Sequence, residues 1–448
     1  MAKPQLQRSL GLTQATVLNM IDMVGIGPFI TLPLILIAFP GKFSVIPWIA
    51  GAIISLADGF VWSELGAAYP SAGGSYVFLQ KIYRGRMGRM LAFLYSLQTS
   101  LHTPLVITSA AIGFVNYFGY LMPLSFWQTK LVMIALVLIV ILMLYRKIGD
   151  VGKIGLLLSI IVVGMLLWTI ATGGAAFSVS LLKQNSVTSI GAGNFFHQAW
   201  WFMIGSYTSK TLYAYLGYYN VCSIGSEIKH PEKNIPRGIL ISIVVIAILY
   251  VSMQLAVAGV LPSAAIKENT PVISLLFEKV YGKNIARVAT VMLLAVAASS
   301  LFALLLGYSR IIYAAACEGM HFKIFSHLHP VKNFPDYILL TFGGVAIIFC
   351  LIFSRPSDLF GFIIATRIFI QFIPQAIGVI LFRVQKRTNE LKFKMPLYPV
   401  IPVFSALMWA FIFFTSGQKY FLTGIGVIVI GIAIYLIGFD KRDSIRNN

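Results

Sequence analysis

Two apolar segments of the sequence contain stretches that glycine or proline interrupts. The stretch in the first segment is Gly25, Ile26, Gly27 and Pro28, and that in the second is Tyr213, Ala214, Tyr215, Leu216 and Gly217. Glycine and proline weaken or remove helix hydrogen bonds, so backbone N–H and C=O groups lack partners there. In an apolar surrounding each such group costs several kcal/mol unless protein, water or a ligand satisfies it. Both interruptions are therefore predicted to bind a polar ligand through the backbone.

The two interruptions offer opposite charges to a ligand. At the first, the N–H groups of Ile26 and Gly27 begin a half-helix whose positive dipole end attracts an anion such as a carboxylate. At the second, the carbonyls of Tyr213, Ala214 and Leu216 can accept hydrogen bonds from an ammonium group. Together they predict a zwitterionic ligand with both charges on adjacent atoms, as in an α-amino acid. The predicted substrate-binding residues are Gly25, Ile26, Gly27, Tyr213, Ala214, Tyr215 and Leu216.

Ionisable residues inside apolar segments are costly, which makes them functional candidates. Asp22 lies about one turn before the first interruption, and its carboxylate is predicted to join a cation site or to carry a coupled proton. An ion pair between Asp58 and Arg367 would neutralise both charges. His102 is a candidate pocket residue or proton acceptor, and ordinary packing is the alternative. Glu64 is predicted to have a structural part, capping the loop at 71–75.

Composition indicates that membrane-spanning helices position these residues. Of the 448 residues, 58% are hydrophobic and 11% are charged, and the mean hydropathy is +0.86. A soluble globule cannot bury so much apolar surface, whereas runs of about 20 apolar residues cross a bilayer as helices. We therefore predict an all-α polytopic membrane protein with about twelve transmembrane helices. The predicted spans are 13–38, 43–69, 90–118, 126–145, 152–172, 200–226, 236–261, 284–316, 337–354, 357–383, 398–416 and 419–439.

The interruptions fall in the first and sixth spans, five spans apart. Because five is odd, a second five-helix unit must lie upside down relative to the first, as in the inverted repeats of secondary transporters. The alternative is that glycine and proline are simply common in membrane helices. We predict one transmembrane domain over residues 1–448, with inverted repeats at 10–175 and 200–385 and two additional helices at 396–440.

The basic residues indicate the orientation of the chain. The net charge of +20 does not indicate nucleic-acid binding, because lysine and arginine lie in short loops between apolar runs. Most of them share a side with both termini, so the positive-inside rule predicts that both termini are cytoplasmic. The first span lacks a small-residue cleavage site and is predicted to be retained in the cell membrane, inner or plasma.

Three stretches resemble a known family. They are GIGPF at 25–29, ELGAAYPSAGGSYVFL at 64–79 and SEIKHPEKNIPRGI at 226–239, to which SRIIYAAACEGM at 309–320 can be added. With these motifs the chain resembles the amino acid–polyamine–organocation superfamily, most closely the permeases similar to L-type amino acid transporters. The resemblance covers roughly residues 10–330. It implies a leucine-transporter-like fold with broken helices 1 and 6, alternating access, and substrate held by the two breaks.

The chain departs from the family pattern at the substrate site. Where these permeases commonly read Gly-Ser-Gly, the first interruption has Ile26 in the middle and Pro28 after it, so only two amides are clearly available. Leu216 stands where a glycine is expected, which narrows the pocket or favours small apolar side chains. Tyr213 and Tyr215 are predicted to close over the substrate as gates, with helix packing as the alternative.

Other departures concern a coupling cation. Ser159 aligns with a lysine that stands in for a cation in many relatives, and Ser299 and Ser300 replace two glycines of the L-type pattern. Sodium-coupled members of the wider fold carry hydroxyls there. The predicted sodium site consists of Ile21, Val24, Ser159, Ser299 and Ser300. The alternatives are that the serines bond back to their own helix, with proton coupling or cation-free exchange.

The sequence thus predicts a secondary active transporter of amino acids that works by alternating access in the bilayer. We expect no enzyme chemistry, no cofactor other than Na⁺, and no metal site, because no nucleophile, base or metal-ligand cluster is evident. The loop 116–128 contains no cysteine, so no disulfide-linked subunit is expected. One alternative is a polyamine or organic-cation transporter, which would need acidic residues facing the pocket. Another is a non-transporting amino acid sensor, whose usual cytoplasmic tail would exceed the few residues after Asp440.

Overall fold

The protein is built from α-helices throughout the part of the chain that the structure describes. A computed structural model describes residues 8, 10–71, 73–145, 148–187, 198–332, 334–385 and 390–438. In these ranges the only extended pairing is a single bridge between Leu10 and Ile228. The helices are α1 (Leu12–Met23), α2 (Gly27–Ala38), α3 (Ile46–Ala68), α4 (Ser75–Tyr83), α5 (Gly85–Leu121), α6 (Phe126–Leu144), α7 (Ile148–Ala175), α8 (Val179–Val187), α9 (Gln198–Tyr215), α10 (Pro231–Ala258), α11 (Val272–Tyr281), α12 (Lys283–Cys317), α13 (Asp336–Ile352), α14 (Pro356–Arg367), α15 (Ile373–Val384), α16 (Val400–Thr415) and α17 (Gln418–Gly438).

Many of these helices are long and apolar enough to cross a membrane. Within the described ranges seven segments meet this condition, or eight if the sharply bent pair formed by α7 and α8 is one span. The seven are 41–68, 85–121, 126–144, 231–258, 283–317, 359–384 and 418–438. The helices α2, α13 and α16 are apolar but shorter. The predicted class, an all-helical multi-pass membrane protein, is confirmed, while the count of twelve spans and the inverted repeat stay predictions.

The structure interrupts both of the segments that the sequence marks. We call residues 24–26, between α1 and α2, the first break, and residues 216–230, between α9 and α10, the second break. Gly217 has φ +121°, a backbone conformation that residues with a Cβ rarely adopt, and two short 3₁₀ turns follow it. The second break begins later than predicted, because Tyr213 and Tyr215 still belong to the last turn of α9.

Asp58 does not pair with Arg367, so the predicted ion pair is wrong. The buried Asp58 carboxylate accepts hydrogen bonds from Trp62 Nε1 at 2.8 Å, the Tyr218 hydroxyl at 2.6 Å and the Ser405 hydroxyl at 3.2 Å. These donors come from α3, the second break and α16. A buried carboxylate satisfied by several donors needs no adjacent cation, and here it ties three elements together.

Glu64 also has a different partner from the one predicted. Its buried carboxylate accepts two hydrogen bonds from Arg383, at 2.9 and 2.6 Å, and one from the Met395 N–H at 2.8 Å. It therefore joins α3 to α15 rather than capping the loop at 71–75. The Ser75 hydroxyl at the end of that loop is bonded instead by side-chain amides that follow Arg367 in the sequence.

We expect Glu64→Gln to destabilise the protein strongly, because it removes one charge of a buried bidentate pair and leaves Arg383 without its counter-ion. Breaking such a pair costs roughly 3–5 kcal/mol. The unfolding midpoint of the purified protein in detergent measures the effect. The matched control is Glu232→Gln, at the exposed pair with His230, where the loss should stay below about 1 kcal/mol. Equal shifts for both variants would contradict this role of Glu64.

Candidate functional site

The two breaks are in van der Waals contact. A Cβ placed on Gly27 would lie 3.3 Å from the Tyr213 ring and 3.5 Å from the Cα of Ala214. A Cβ on Gly217 would lie 2.8 Å from the carbonyl carbon of Asp22, which is closer than real Cβ contacts. Glycine is therefore required where the second break passes the end of α1. The predicted substrate-binding backbone segments are brought together at one place.

Two polar residues that the sequence reasoning missed hold the breaks in position. The buried Tyr250 hydroxyl lies 2.9 Å from the carbonyl oxygen of Met23 and 3.2 Å from that of Ala214, so its one proton is shared between the last turns of α1 and α9. The Asn19 side-chain amide donates to and accepts from the backbone of the second break, at 2.6 and 2.9 Å. These contacts satisfy part of the backbone that the interruptions leave unpaired. The available signal was a polar side chain within an apolar run of α1 and of α10.

One of the two amides predicted to bind substrate is hydrogen-bonded to a serine side chain. The Ile26 N–H donates to the Ser300 hydroxyl at 2.8 Å, and that hydroxyl lies 3.0 Å from the Val296 carbonyl oxygen on its own helix. The Gly27 N–H is then the remaining amide of the predicted pair, and as the first residue of α2 it has no acceptor within that helix. A Cβ on Gly25 would lie 2.5 Å from the Ser300 oxygen, so glycine permits this approach.

The aromatic residues of the second segment divide between the cavity and the core. The Tyr213 ring lines the cavity and stacks on Phe360 with a centroid distance of 4.3 Å. Tyr215 is fully buried, its hydroxyl donates to the Trp48 carbonyl at 3.2 Å, and it is absent from the cavity lining. The position of Tyr215 therefore favours helix packing over the predicted gating role. Leu216 lines the cavity, and its predicted effect on the width of the pocket stays a prediction.

A cavity of about 530 Å³ extends from both breaks between α5, α12 and α14. This volume is typical of a site for a small molecule. The residues that line it include Asp22, Val24, Gly25, Ile26, Gly27, His102, Tyr213, Ala214, Leu216, Gly217, Tyr219, Glu227, Ser299, Ser300, Tyr308, Arg310 and Arg367. Asp22 is exposed in this cavity at the C-terminal end of α1, where the helix dipole is negative. Carboxylate and dipole together make this end of the cavity suited to an ammonium group.

The residues of the predicted sodium site are distributed around the first break. Val24, Ser299 and Ser300 line the cavity. The Ser300 hydroxyl makes the bond to its own helix that is the alternative to a cation ligand. Ile21 lies in α1 and Ser159 in α7, and the side chains of these two residues lie outside the described part of the structure.

Comparison with known proteins gives a match along almost the whole chain. A family model described as amino acid permease matches residues 10–439. The serine/threonine exchanger SteT of Bacillus subtilis is 26% identical, over 98% of this chain and 98% of the relative. The branched-chain amino acid permease BcaP of Bacillus subtilis is 23% identical, over 98% and 95%. The putrescine transporter PotE of Escherichia coli strain K12 is 24% identical, over 95% of each chain.

We expect Gly217→Ala to lower the unfolding midpoint, because the new methyl group meets the Asp22 backbone and the residue has φ +121°. Strain of this kind costs on the order of 1–3 kcal/mol. The matched control is Gly307→Ala on α12, which also lines the cavity but has nothing within 4 Å of the added atom. A helical glycine replaced by alanine should be neutral or stabilising by up to about 1 kcal/mol. Thermal unfolding in detergent compares the two, and equal midpoints would contradict the close packing of the breaks.

Proposed function

The chain belongs to the amino acid permease family, and from that premise we propose that it is a secondary active transporter carrying amino acids across the cytoplasmic membrane. Transport proceeds by alternating access. The observation that carries the proposal is the contact between two interrupted segments at the head of a small-molecule cavity, with a helix N-terminus and a helix C-terminus facing the same space. Such ends attract opposite charges, which suits a zwitterion.

In the proposed complex the two charges of the amino acid bind at different helix ends. The α-carboxylate accepts a hydrogen bond from the Gly27 N–H at the positive end of α2. The α-ammonium group lies between the Asp22 carboxylate and the carbonyl oxygens at the end of α9, including that of Ala214. The Ala214 oxygen retains a second lone pair beside the Tyr250 hydroxyl, so both bonds are compatible.

The proposed architecture is twelve spans with a five-plus-five inverted repeat. Helices overlie every predicted span, and the interruptions fall in the first and the sixth. The repeats are residues 10–175 and 200–385, followed by two additional helices at 396–440, with both termini in the cytoplasm. This layout places an interrupted helix at the start of each repeat, near the middle of the bilayer, where substrate sites of such transporters lie.

The cavity corresponds to an inward-facing state in the proposed orientation. Its lining includes Glu227 and Arg310, next to loops that the positive-inside rule assigns to the cytoplasm. Tyr213, which contacts the first break, stacks on Phe360, and this pair is the proposed closure toward the outside. Separation of these two rings is the proposed step that opens the site to the outside.

Polyamine transport is the second candidate, because one relative is a putrescine transporter. A polyamine carries two ammonium groups and no anion. Asp22 and Glu227 would suit it, but Arg367 is buried in the wall of the same cavity and would repel a dication. We therefore rank amino acid transport first. Comparing the uptake of amino acids into proteoliposomes with the uptake of putrescine distinguishes the two candidates.

Sodium coupling through Val24, Ser299 and Ser300 belongs to the proposal. The oxygen atoms available near the first break are the kind of ligand that Na⁺ requires, and Ser299 lines the cavity. For Ser300 to bind an ion, its oxygen must use the lone pair that does not accept from the Ile26 N–H, and its donated bond to Val296 is compatible with this.

We expect Gly27→Val to reduce amino acid uptake into proteoliposomes by more than 90%, on the order of a tenfold loss or greater. The branched side chain would occupy the space between the first break and Tyr213, 3.3 Å from the position of the added Cβ. The control is Gly164→Val on α7, where nothing lies within 4 Å of the added atom, and which should transport normally. Normal uptake by the Gly27 variant would exclude the proposed site.

We expect the double substitution Ser299→Ala and Ser300→Ala to remove any dependence of uptake on an inward sodium gradient, because two hydroxyl ligands are lost. Ser309→Ala is the control, since that hydroxyl also lies on α12 but bonds to the Leu306 carbonyl. Initial rates are measured with sodium gradients and with proton gradients applied separately. Unmodified protein that transports equally well without sodium would eliminate the sodium hypothesis.

A further inference from the structure

Arg367 places a buried positive charge in the wall of the cavity. It is the last residue of α14 and is only 1% exposed. Its Nε donates to the Gln371 side chain at 2.8 Å, and its Nη1 lies 3.4 Å from His102 Nε2. The rings of Tyr219 and Phe372 lie 5.1 and 5.4 Å from the guanidinium carbon. These neighbours provide acceptors and aromatic faces but no negative charge.

The acidic residues of the transmembrane region do not neutralise this guanidinium. Among the residues that the structure describes, no carboxylate lies within ion-pair distance of Arg367. The carboxylate of Asp58 is bonded by three neutral donors, and that of Glu64 is bonded by Arg383. Asp22 belongs to the same cavity but is exposed at the end of α1. A buried unpaired charge costs several kcal/mol, so an anion is expected beside Arg367.

The groups around Arg367 are suited to a carboxylate. Because His102 Nε2 faces a guanidinium N–H, it acts as the acceptor, and the proton of the neutral ring is then on Nδ1. That Nδ1 is buried and has no hydrogen-bond partner in the described part of the chain. Tyr308, whose ring contacts the His102 ring at 5.6 Å, adds a hydroxyl to the same wall of the cavity. Arginine itself binds carboxylates through paired N–H groups.

The position of Arg367 along the cavity separates it from the first break. Ser300, bonded to Ile26, and Tyr308, beside His102, lie on the same helix about two turns apart, roughly 12 Å along the axis. One carboxylate group is too small to contact both the first break and Arg367. An α-carboxylate at Gly27 and a second anionic group at Arg367 would span them, if a short side chain joins the two.

We propose that the cavity selects amino acids whose side chain ends in a carboxylate, with Arg367 as the counter-ion of that group. The inference rests on the proposed function, because it uses the two breaks to hold the α-carboxylate and the α-ammonium group. It adds a substrate class, the acidic amino acids, and a specificity-determining residue. Glutamate is a suitable probe because it differs from glutamine in side-chain charge at nearly constant shape.

The test is a comparison of dissociation constants for L-glutamate and L-glutamine, measured by calorimetry on the purified full-length chain. A charge-assisted hydrogen bond is worth enough to expect at least about tenfold tighter binding of glutamate. Glutamine binding as tightly as glutamate, or more tightly, would overturn the inference. Binding of neutral amino acids without glutamate would overturn it too and would leave the proposed function intact. If no amino acid binds but putrescine does, the proposed function itself is wrong.

Variants assign the preference to Arg367. R367Q should reduce the glutamate preference to less than about twofold while glutamine affinity changes less than about threefold, since only the side-chain carboxylate loses its partner. R310Q removes the same charge from an exposed position of the same cavity and should keep most of the preference. An R367Q variant that retains the full preference would overturn the assignment. If R367Q does not fold, the glutamate-to-glutamine ratio of the unmodified chain still decides the substrate class.

Discussion

Interrupted helices at membrane depth must have their backbone groups satisfied, and this constraint explains why the site is built as it is. Part of the backbone is satisfied by the protein, through Tyr250 at the ends of α1 and α9, Asn19 at the second break and Ser300 at Ile26. These bonds fix the shape of the breaks. The Gly27 amide and the α9 carbonyls remain at the cavity. In the proposed function a polar ligand supplies the partners that these groups still lack.

Buried charges are treated in two ways in this protein. The carboxylates of Asp58 and Glu64 accept hydrogen bonds from elements distant in sequence, and each therefore links several parts of the fold. Arg367 is as deeply buried, yet its neighbours are neutral. Buried carboxylates whose hydrogen bonds are all made add rigidity to the fold, whereas a buried guanidinium without a counter-ion favours binding of an anion. This difference separates residues that hold the fold from one that faces the cavity.

The local features of the site could be predicted from the sequence, and the distant contacts could not. Glycine and proline within apolar runs act on their own backbone, so Gly25, Gly27 and Gly217 mark both breaks without tertiary information. The partners of Asp58 and Glu64 depend on helix packing, which hydropathy does not specify, and the ion pair with Arg367 was wrong for that reason. The second break begins late because α9 continues through tyrosines that pack on Trp48 and Phe360.

The contact between the breaks relies on glycines rather than on interlocking side chains, and this has a consequence for movement. Where Gly217 faces the backbone of Asp22, no side chain must change its rotamer for the segments to slide. The few hydrogen bonds across the contact come from Tyr250 and Asn19, which lie on α10 and α1. A ligand that bonds to both segments adds to these bonds, because the Ala214 oxygen can accept from the ligand as well as from Tyr250. Occupancy can therefore shift the balance between two packings that differ little in free energy.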